Sequence, residues 1–349
     1  MNFFLFLILI STALPIDSSY SQDFQKQTAS GPQKKILVLT TSGGGGHSAA
    51  AQAVRESLED RYEVNVLDII GHLPLLEGGA KIFDHCFANQ SWSYMKILLF
   101  LQPKAVEDLA VLYCKKKIIS LITEKSPDLI VSVLPTANYV YLEEAKQLGI
   151  PLVVIPTDFT PTAFFHKIKN LRASQTLTII LPFEEPKTSS YLRMRDLNNL
   201  VYDGYPVRRI FNDIGNKLKS GDSNLKEDLK NYALTRFQID TARGDKAVFL
   251  GMGAKGFAGK LIQRYAEIFL AYGHMALSSQ EAHLHVLIAS GSNKGLLDKL
   301  TELRNRHLRT GNSSRIHLHP LEWMNGDQMA QTLAISDVVM TKPGGSTVA

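Results

Sequence analysis

Ile36-Leu-Val-Leu-Thr-Thr-Ser-Gly-Gly-Gly-Gly-His-Ser48 decides the fold class. Its first four residues are a continuous apolar run, the pattern of a strand buried on both faces of a parallel sheet. The four glycines after it let the backbone take conformations that a side chain forbids and bring amides close to a ligand. A helix is expected over Ser48 to Asp60, with Ala50, Ala53, Val54, Ser57 and Leu58 at helical spacing. Its N-terminus supplies the partial positive charge that suits a phosphate or another oxyanion. The loop is neither a Gly-x-Gly-x-x-Gly nor a Walker sequence; without Gly-Lys-Ser/Thr a P-loop NTPase is rejected, and with no acidic residue placed as in the dinucleotide fingerprint NAD is disfavoured.

Outward from this stretch the pattern repeats. Strands are expected at Tyr62 to Ile70, Leu129 to Val133 and Leu152 to Ile155, with a helix over Asn138 to Leu148. Asp203-Gly-Tyr-Pro-Val207 interrupts the rhythm, and a polar helical stretch runs from Asn216 to about Tyr232. A second set then begins, with strands at Ala247 to Leu250, Leu284 to Ala289, Ile316 to Leu318 and Asp337 to Met340. Its helices are expected over Lys260 to Tyr272 and Lys294 to His307. Strands alternating with helices imply parallel sheets with right-handed crossovers, so the fold class is α/β with two Rossmann-like, doubly wound halves. The divisions expected are residues 1–33, a signal-like or anchor segment with its linker, then domains 34–207 and 208–349. Ligands of such sheets lie outside the carboxyl ends of the strands, and chemistry is to be sought in those turns.

Composition agrees with this and narrows the partners. A length of 349 residues suits two domains, and 45% hydrophobic with 20% charged residues is ordinary globular composition. Two cysteines, Cys86 and Cys114, make no disulfide framework, and no CxxC or Cys/His cluster is read as offering a zinc site. A net charge of +5 is too mild for a nucleic-acid stripe, but it fits an anionic membrane surface or a phosphate-bearing ligand. Phe3 to Leu14 is one apolar run whose helical length of roughly 18 Å falls short of the ~30 Å bilayer core. It fits either a cleaved signal peptide or an uncleaved anchor. At the other end, a glycine-rich loop after an apolar strand normally opens a helix. The expectation is therefore a chain cut short, with an incomplete second domain.

The turns supply the candidates. His47, at the mouth of the first turn, suits a general base near neutral pH, against the alternative of a capping or packing histidine. Asp158 comes directly after an apolar strand and either orients a hydroxyl or imidazole or caps the next turn. Phe164 and Phe165 are lipid-facing or core, with at least one expected in the core. In the second half, Gly251 and Gly253, then Ser290, Gly291 and Asn293, and finally Lys342, Pro343, Gly344, Gly345, Ser346 and Thr347 occupy three successive strand-end turns. Together they point to a nucleotide-diphosphate site. The segment Ser93 to Thr123 sets apolar runs beside Lys115-Lys-Lys117, which suits either an interfacial surface drawn to anionic lipid or a buried helix with a solvated edge.

The order SGGGGH, PDLIVSVLP, IPTDFTPTAFFH, VYDGYPVRRIF, GMGAKG and SDVVMTKPGGSTVA, spanning about residues 35 to 349, resembles the monogalactosyldiacylglycerol synthase and processive diacylglycerol glucosyltransferase family. These are GT-B enzymes related to MurG. The resemblance implies two Rossmann-like domains facing across a cleft. It further implies inverting transfer of a hexose, galactose or glucose, from a UDP-sugar to the 3-hydroxyl of diacylglycerol in glycolipid synthesis.

By that resemblance the N-terminal domain docks on the membrane and holds the acceptor near Gly44, Gly45, Gly46, Phe164 and His166. His47 matches the family's proposed base, with Asp158 beside it, and the turns of the second half hold the donor. UDP-hexose, diacylglycerol and an anionic membrane surface are the expected partners, with no nucleic acid. No cofactor and no metal are expected, because backbone amides and a helix dipole can stabilise the leaving diphosphate. Peripheral association with the cytoplasmic face is implied as well, which conflicts with a cleaved signal peptide. Two other readings stay open: a MurG-like transferase of N-acetylglucosamine to a polyprenyl-linked acceptor, and a non-catalytic GT-B protein that binds a nucleotide sugar or lipid.

Overall fold

The computed structural model describes residues 33–41, 45–74, 77–78, 108, 110–158, 161–165, 167–168, 176–253, 259–277, 281–309 and 315–341. The apolar runs become the strands of two wholly parallel sheets. The first holds β1 (Lys35–Thr40), β2 (Glu63–Asp68), β3 (Leu129–Ser132), β4 (Leu152–Val154), β5 (Leu177–Leu181) and β6 (Leu200–Tyr202), in the order β2-β1-β3-β4-β5-β6. The second holds β7 (Lys246–Gly251), β8 (Leu284–Ala289), β9 (Ile316–Leu321) and β10 (Val338–Thr341), in the order β10-β7-β8-β9. β5 and β6 were not among the expected strands. β6 is three half-exposed residues and carries almost no periodicity.

Helices cover both faces of the first sheet, which is why β1 and β3 are dominated by apolar runs and β5 is buried throughout. α1 (Gly45–Leu58) lays Ala50, Ala51, Val54 and Leu58 on one face against Ile36, Val38, Leu129 and Val131. α2 (Lys115–Lys125) and α3 (Asn138–Leu148) cover the other, with Ile118, Ile122, Val140 and Tyr141 against Leu37, Leu39 and Ile130. Each such side chain, fully buried, contributes roughly 1.5–3 kcal/mol. Packing of the sheet, more than helix propensity, therefore holds these helices in place. α1 begins at Gly45, three residues earlier than expected, so Gly45 and Gly46 lie in the helix and His47 sits in its first turn.

After β5 comes α4 (Pro186–Arg193), whose start is capped by the Glu185 carboxylate accepting from the Lys187 and Thr188 amides. The polar stretch expected over 216–232 is two helices, α5 (Arg209–Ser220) and α6 (Ser223–Phe237). Gly221 ends the first at φ 77°, and Asp222 caps the second by accepting from the Asn224 and Leu225 amides. α7 (Gly259–Tyr272) and α8 (Lys294–Arg309) then cover one face of the second sheet. α9 (Gly326–Ala334) was not expected; an Asn325/Gln328 capping box starts it on the opposite face.

The two halves meet at Arg208, on the segment that breaks the rhythm of the sequence. Its Nε donates to Glu56 of α1 at 2.9 Å, and Arg209 pairs with Asp60 at 3.0 Å. On its other side, the Arg208 guanidinium packs against Gly326 at the start of α9.

Candidate functional site

The first sheet reverses its winding between β1 and β3, and the crevice of a doubly wound sheet lies at such a switch point. Three segments meet there. α1 supplies His47 directly after β1, β3 runs into Val133, and β4 runs into Thr157. Val133 is fixed by its amide, which donates to the Leu39 carbonyl at 3.1 Å, and Ile155 by donation to the Ser132 carbonyl at 2.9 Å. The switch point is thus held by ladder bonds that continue one residue past the strands.

His47 Nδ1 lies 2.9 Å from the Val133 carbonyl oxygen and 2.7 Å from Thr157 Oγ1. A carbonyl only accepts, so Nδ1 carries the proton, and in the neutral ring Nε2 bears the basic lone pair. The Thr157 hydroxyl accepts from the same N–H and donates to the Val133 carbonyl at 3.4 Å. Thr157 is buried, while His47 is half-buried. This arrangement does for the imidazole what a carboxylate does in a catalytic triad: it fixes the tautomer and the ring plane. It adds no buried charge.

Thr157 and Val133 were not singled out from the sequence. Their side chains carry no distinctive chemistry, and only the pairing of β3 with β1 and β4 brings them to the ring. Asp158, the residue expected to orient His47, is exposed, and its negative charge helps burial raise the Tyr205 phenol above its ordinary range. Asp158 therefore faces the Gly204-Tyr-Pro206 turn.

The aromatic pair is corrected. Phe164 and Phe165 are both buried in the first core, 1% and 0% exposed, so Phe164 packs beneath the turn and does not line an acceptor site. Asn138 staples that turn to α3, its Nδ2 donating to the Leu134 and Phe164 carbonyls. Gly45 and Gly46 stand at the N-terminus of α1, where amides face the switch point; Gly44 and His166 lie outside the described residues.

In the second sheet the switch point falls between β7 and β10. Gly251 ends β7 under close constraint, because an added Cβ would lie 2.8 Å from the Phe249 ring. Gly253 comes next but one at φ 93°, a conformation that favours glycine. Lys342, Pro343, Gly344, Gly345, Ser346 and Thr347, directly after β10, lie outside the described residues. The turn after β8 is corrected in part. Ser290 is fully buried, with its hydroxyl donating to the Leu321 carbonyl at 2.7 Å, and Asn293 Oδ1 accepts from the Leu296 amide at 2.9 Å to cap α8. Both side chains brace the turn. Gly291, at φ 58°, is the bend itself.

The described part of the segment 93–123 is amphipathic. Ile118, Leu121 and Ile122 of α2 are buried and Lys116 and Lys117 exposed, while Leu112 and Tyr113 of the preceding turn are 73% and 72% exposed. Residues 93–107 of that segment lie outside the described residues. Among the described residues no helix is long and apolar enough to cross a membrane.

Residues 47–174 match the family model described as monogalactosyldiacylglycerol (MGDG) synthase. The matched segment contains His47, Val133, Thr157 and Asp158. No curated protein matches the chain. Among solved structures, the chain is similar to a glycosyltransferase from Rickettsia africae, at 12% identity over 88% of this chain and 73% of that one, with a TM-score of 0.50. It is also similar to the UDP-GlcNAc 2-epimerase of Neisseria meningitidis solved with UDP-GlcNAc (12% identity, 89% and 78% covered, TM-score 0.49). MurG of Acinetobacter baumannii is a third (11% identity, 91% and 75% covered, TM-score 0.42). The likeness to the Rickettsia africae structure is one of fold, and the family match over residues 47–174 is that of a glycosyltransferase.

Proposed function

We propose that this chain transfers a hexose from a UDP-sugar to the 3-hydroxyl of diacylglycerol, with inversion at the anomeric carbon. The observation that carries the reading is the placement of His47 Nδ1, 2.9 Å from the Val133 carbonyl oxygen and 2.7 Å from Thr157 Oγ1, at the switch point of the first sheet. An alcohol is a poor nucleophile at neutral pH, and its proton must leave as its oxygen bonds to the anomeric carbon. Nε2 of the neutral ring takes that proton, and the imidazolium that forms keeps its Nδ1–H on the Val133 carbonyl. Positioned proton transfer of this kind is worth about 10²- to 10⁴-fold in rate.

We assign the donor's diphosphate to the second switch point, where Gly251 ends β7 and Gly253 follows it, with Gly344 to Thr347 succeeding β10 in the sequence. Backbone amides there neutralise the charge that builds on UDP as the glycosidic bond breaks, so the reading needs no metal. Leu112, Tyr113 and Lys115 to Lys117 suit contact with an anionic bilayer, from which the acceptor is drawn. The MGDG synthase match over this segment favours diacylglycerol over a polyprenyl-linked acceptor.

The test is incubation of the protein with diacylglycerol-containing anionic vesicles and radiolabelled UDP-galactose, UDP-glucose or UDP-GlcNAc, then thin-layer separation of the lipids. Labelled monohexosyldiacylglycerol, lost in His47→Ala, is the expected result. Label in a polyprenyl-linked product, or binding of UDP-sugar without any labelled lipid, overturns it.

A further inference from the structure

At the opposite edge of the second sheet from the glycine turns lies a group of side chains that sugar transfer does not use. His283 precedes β8 and His285 lies within it; His317 and His319 lie in β9. The parallel register sets His285 beside His317. With side chains alternating along each strand, all four rings fall on one face, near the N-terminal ends of the strands. They form a continuous stack in the order 283, 317, 285, 319, with centroids 4.9, 4.8 and 5.3 Å apart. Farther along the same face the residues turn apolar, with Leu287, Ala289 and Leu321. Imidazoles occupy positions where a sheet of this class ordinarily places Val, Ile or Leu.

We propose that His283, His285 and His317 form a binding site for a divalent late first-row transition ion, with Zn²⁺ as the type case. One ring nitrogen from each lies within 4.8 Å of the other two, and His317 Nε2 is already 2.9 Å from His283 Nδ1. Three nitrogens around one zinc at about 2.0–2.1 Å stand roughly 3.3 Å apart in a tetrahedron. The widest pair closes by roughly 1.5 Å, a movement that turning a histidine ring about its broad χ2 supplies. His283 and His317 are half-exposed and have room to turn, which also leaves an entry path and a fourth position for water.

A second observation points the same way. His285 is 2% exposed at its side chain, and its Nε2 is buried without a hydrogen bond; Asp245 Oδ2 stands 3.3 Å away, outside hydrogen-bonding geometry. A buried imidazole nitrogen whose one polar neighbour is this poorly aligned carboxylate is a position that a metal ion can satisfy. The surrounding groups are those of a metal's outer shell. His285 Nδ1 lies 3.0 Å from His319 Nε2, which sets the plane of the ligating ring, and the fully buried Asp245 carboxylate supplies negative charge beside it. Asp245 is held in turn by Arg243 and by the Asp240 and His283 amides. An all-imidazole set selects zinc, copper, nickel or iron over magnesium and calcium, which require oxygen ligands. The site is remote from both switch points, so its role is to tie β8 to β9, and it takes no part in sugar transfer.

The experiment is calorimetric titration of the untagged, chelator-stripped full chain with ZnCl₂, with MgCl₂ as control, alongside His283→Gln, His317→Gln and His47→Gln. One Zn²⁺ per chain is expected. Loss of one ligand should weaken binding by at least about a hundredfold, beyond the 10- to 100-fold typical of outer-shell changes. His47→Gln should bind as the wild type does. Zinc binding unchanged in both ligand variants, or none in the wild-type chain below millimolar ion, overturns the proposal. Co²⁺ added to the wild-type chain gives a reading that needs no variant. Intense tetrahedral d–d bands support a three-histidine site with water as fourth ligand, and a spectrum of hydrated Co²⁺ alone contradicts it.

Discussion

The two switch points of this molecule are built from opposite materials. At the first, a titratable side chain is held by a carbonyl from one strand end and a buried hydroxyl from another. At the second, the described residues offer backbone. Gly251 and Gly253 contribute no side chain, and the hydroxyl and amide of the neighbouring turn, Ser290 and Asn293, are engaged within the protein. The same layered architecture thus makes one edge suited to moving a proton and the other to approaching an anion closely. The difference lies in the segment that succeeds each strand: a helix that opens on Gly-Gly-His against turns whose polar groups close on themselves.

The largest effect expected from breaking this asymmetry is at His47. His47→Ala should lower turnover by about 10²- to 10⁴-fold, with UDP affinity unchanged by calorimetry, because the donor is assigned to the other sheet. A fall of less than tenfold would make the imidazole a packing group and turn attention to Asp158. Next in size is Gly251→Ala, which drives a methyl into the Phe249 ring packed against Ala289. Overpacking of this kind costs about 1–3 kcal/mol. Chemical denaturation monitored by hydrogen exchange should place the loss in β7 to β9 and leave β1 and β3 protected.

Thr157→Val sharpens the first half of the comparison, because it keeps the shape and removes one of the two partners of Nδ1. With the Val133 carbonyl still holding the ring, kcat should fall about tenfold with little change in KM, the signature of a group that positions the base. An equal rise in KM would instead assign Thr157 to the acceptor. Smallest is Ser290→Ala, which removes the hydroxyl bond to Leu321 and costs about 1 kcal/mol in thermal or urea unfolding. UDP affinity should stay as it is; a loss of affinity larger than the loss of stability would return Ser290 to the donor site.

Most of the strands were legible because a parallel sheet covered on both faces writes itself as unbroken apolar runs, as in Ile36 to Leu39 and Leu284 to Ala289. β6 escaped because three half-exposed residues make no pattern. α9 escaped because its start depends on a capping box whose two residues stand among ordinary polar ones. His47 was legible as a candidate from its place after a strand. Its partners were not, because a threonine and a backbone carbonyl 110 and 86 residues away have no local signature. Phe164 could not be assigned from the sequence, since an aromatic residue in a turn reads the same whether it faces lipid or core, and the stapling by Asn138 is a long-range event. The histidine pairs at 283 and 285 and at 317 and 319 carried no warning either, since neither matches a local metal motif.

The sequence by itself determined the class of fold, the count of halves and the glycine-bearing strand ends that carry the candidates. These come from hydrophobic periodicity and from glycines at strand ends, both local properties of the chain. Tertiary structure alone decided the tautomer of His47, the burial of Phe164, the use of Ser290 and Asn293 as braces, and the meeting of His283, His285 and His317. The physical reason is the same in each case. Proton position, burial and ligand geometry depend on atoms brought within about 3–5 Å by strand register and crossover, and no short window of sequence contains both partners.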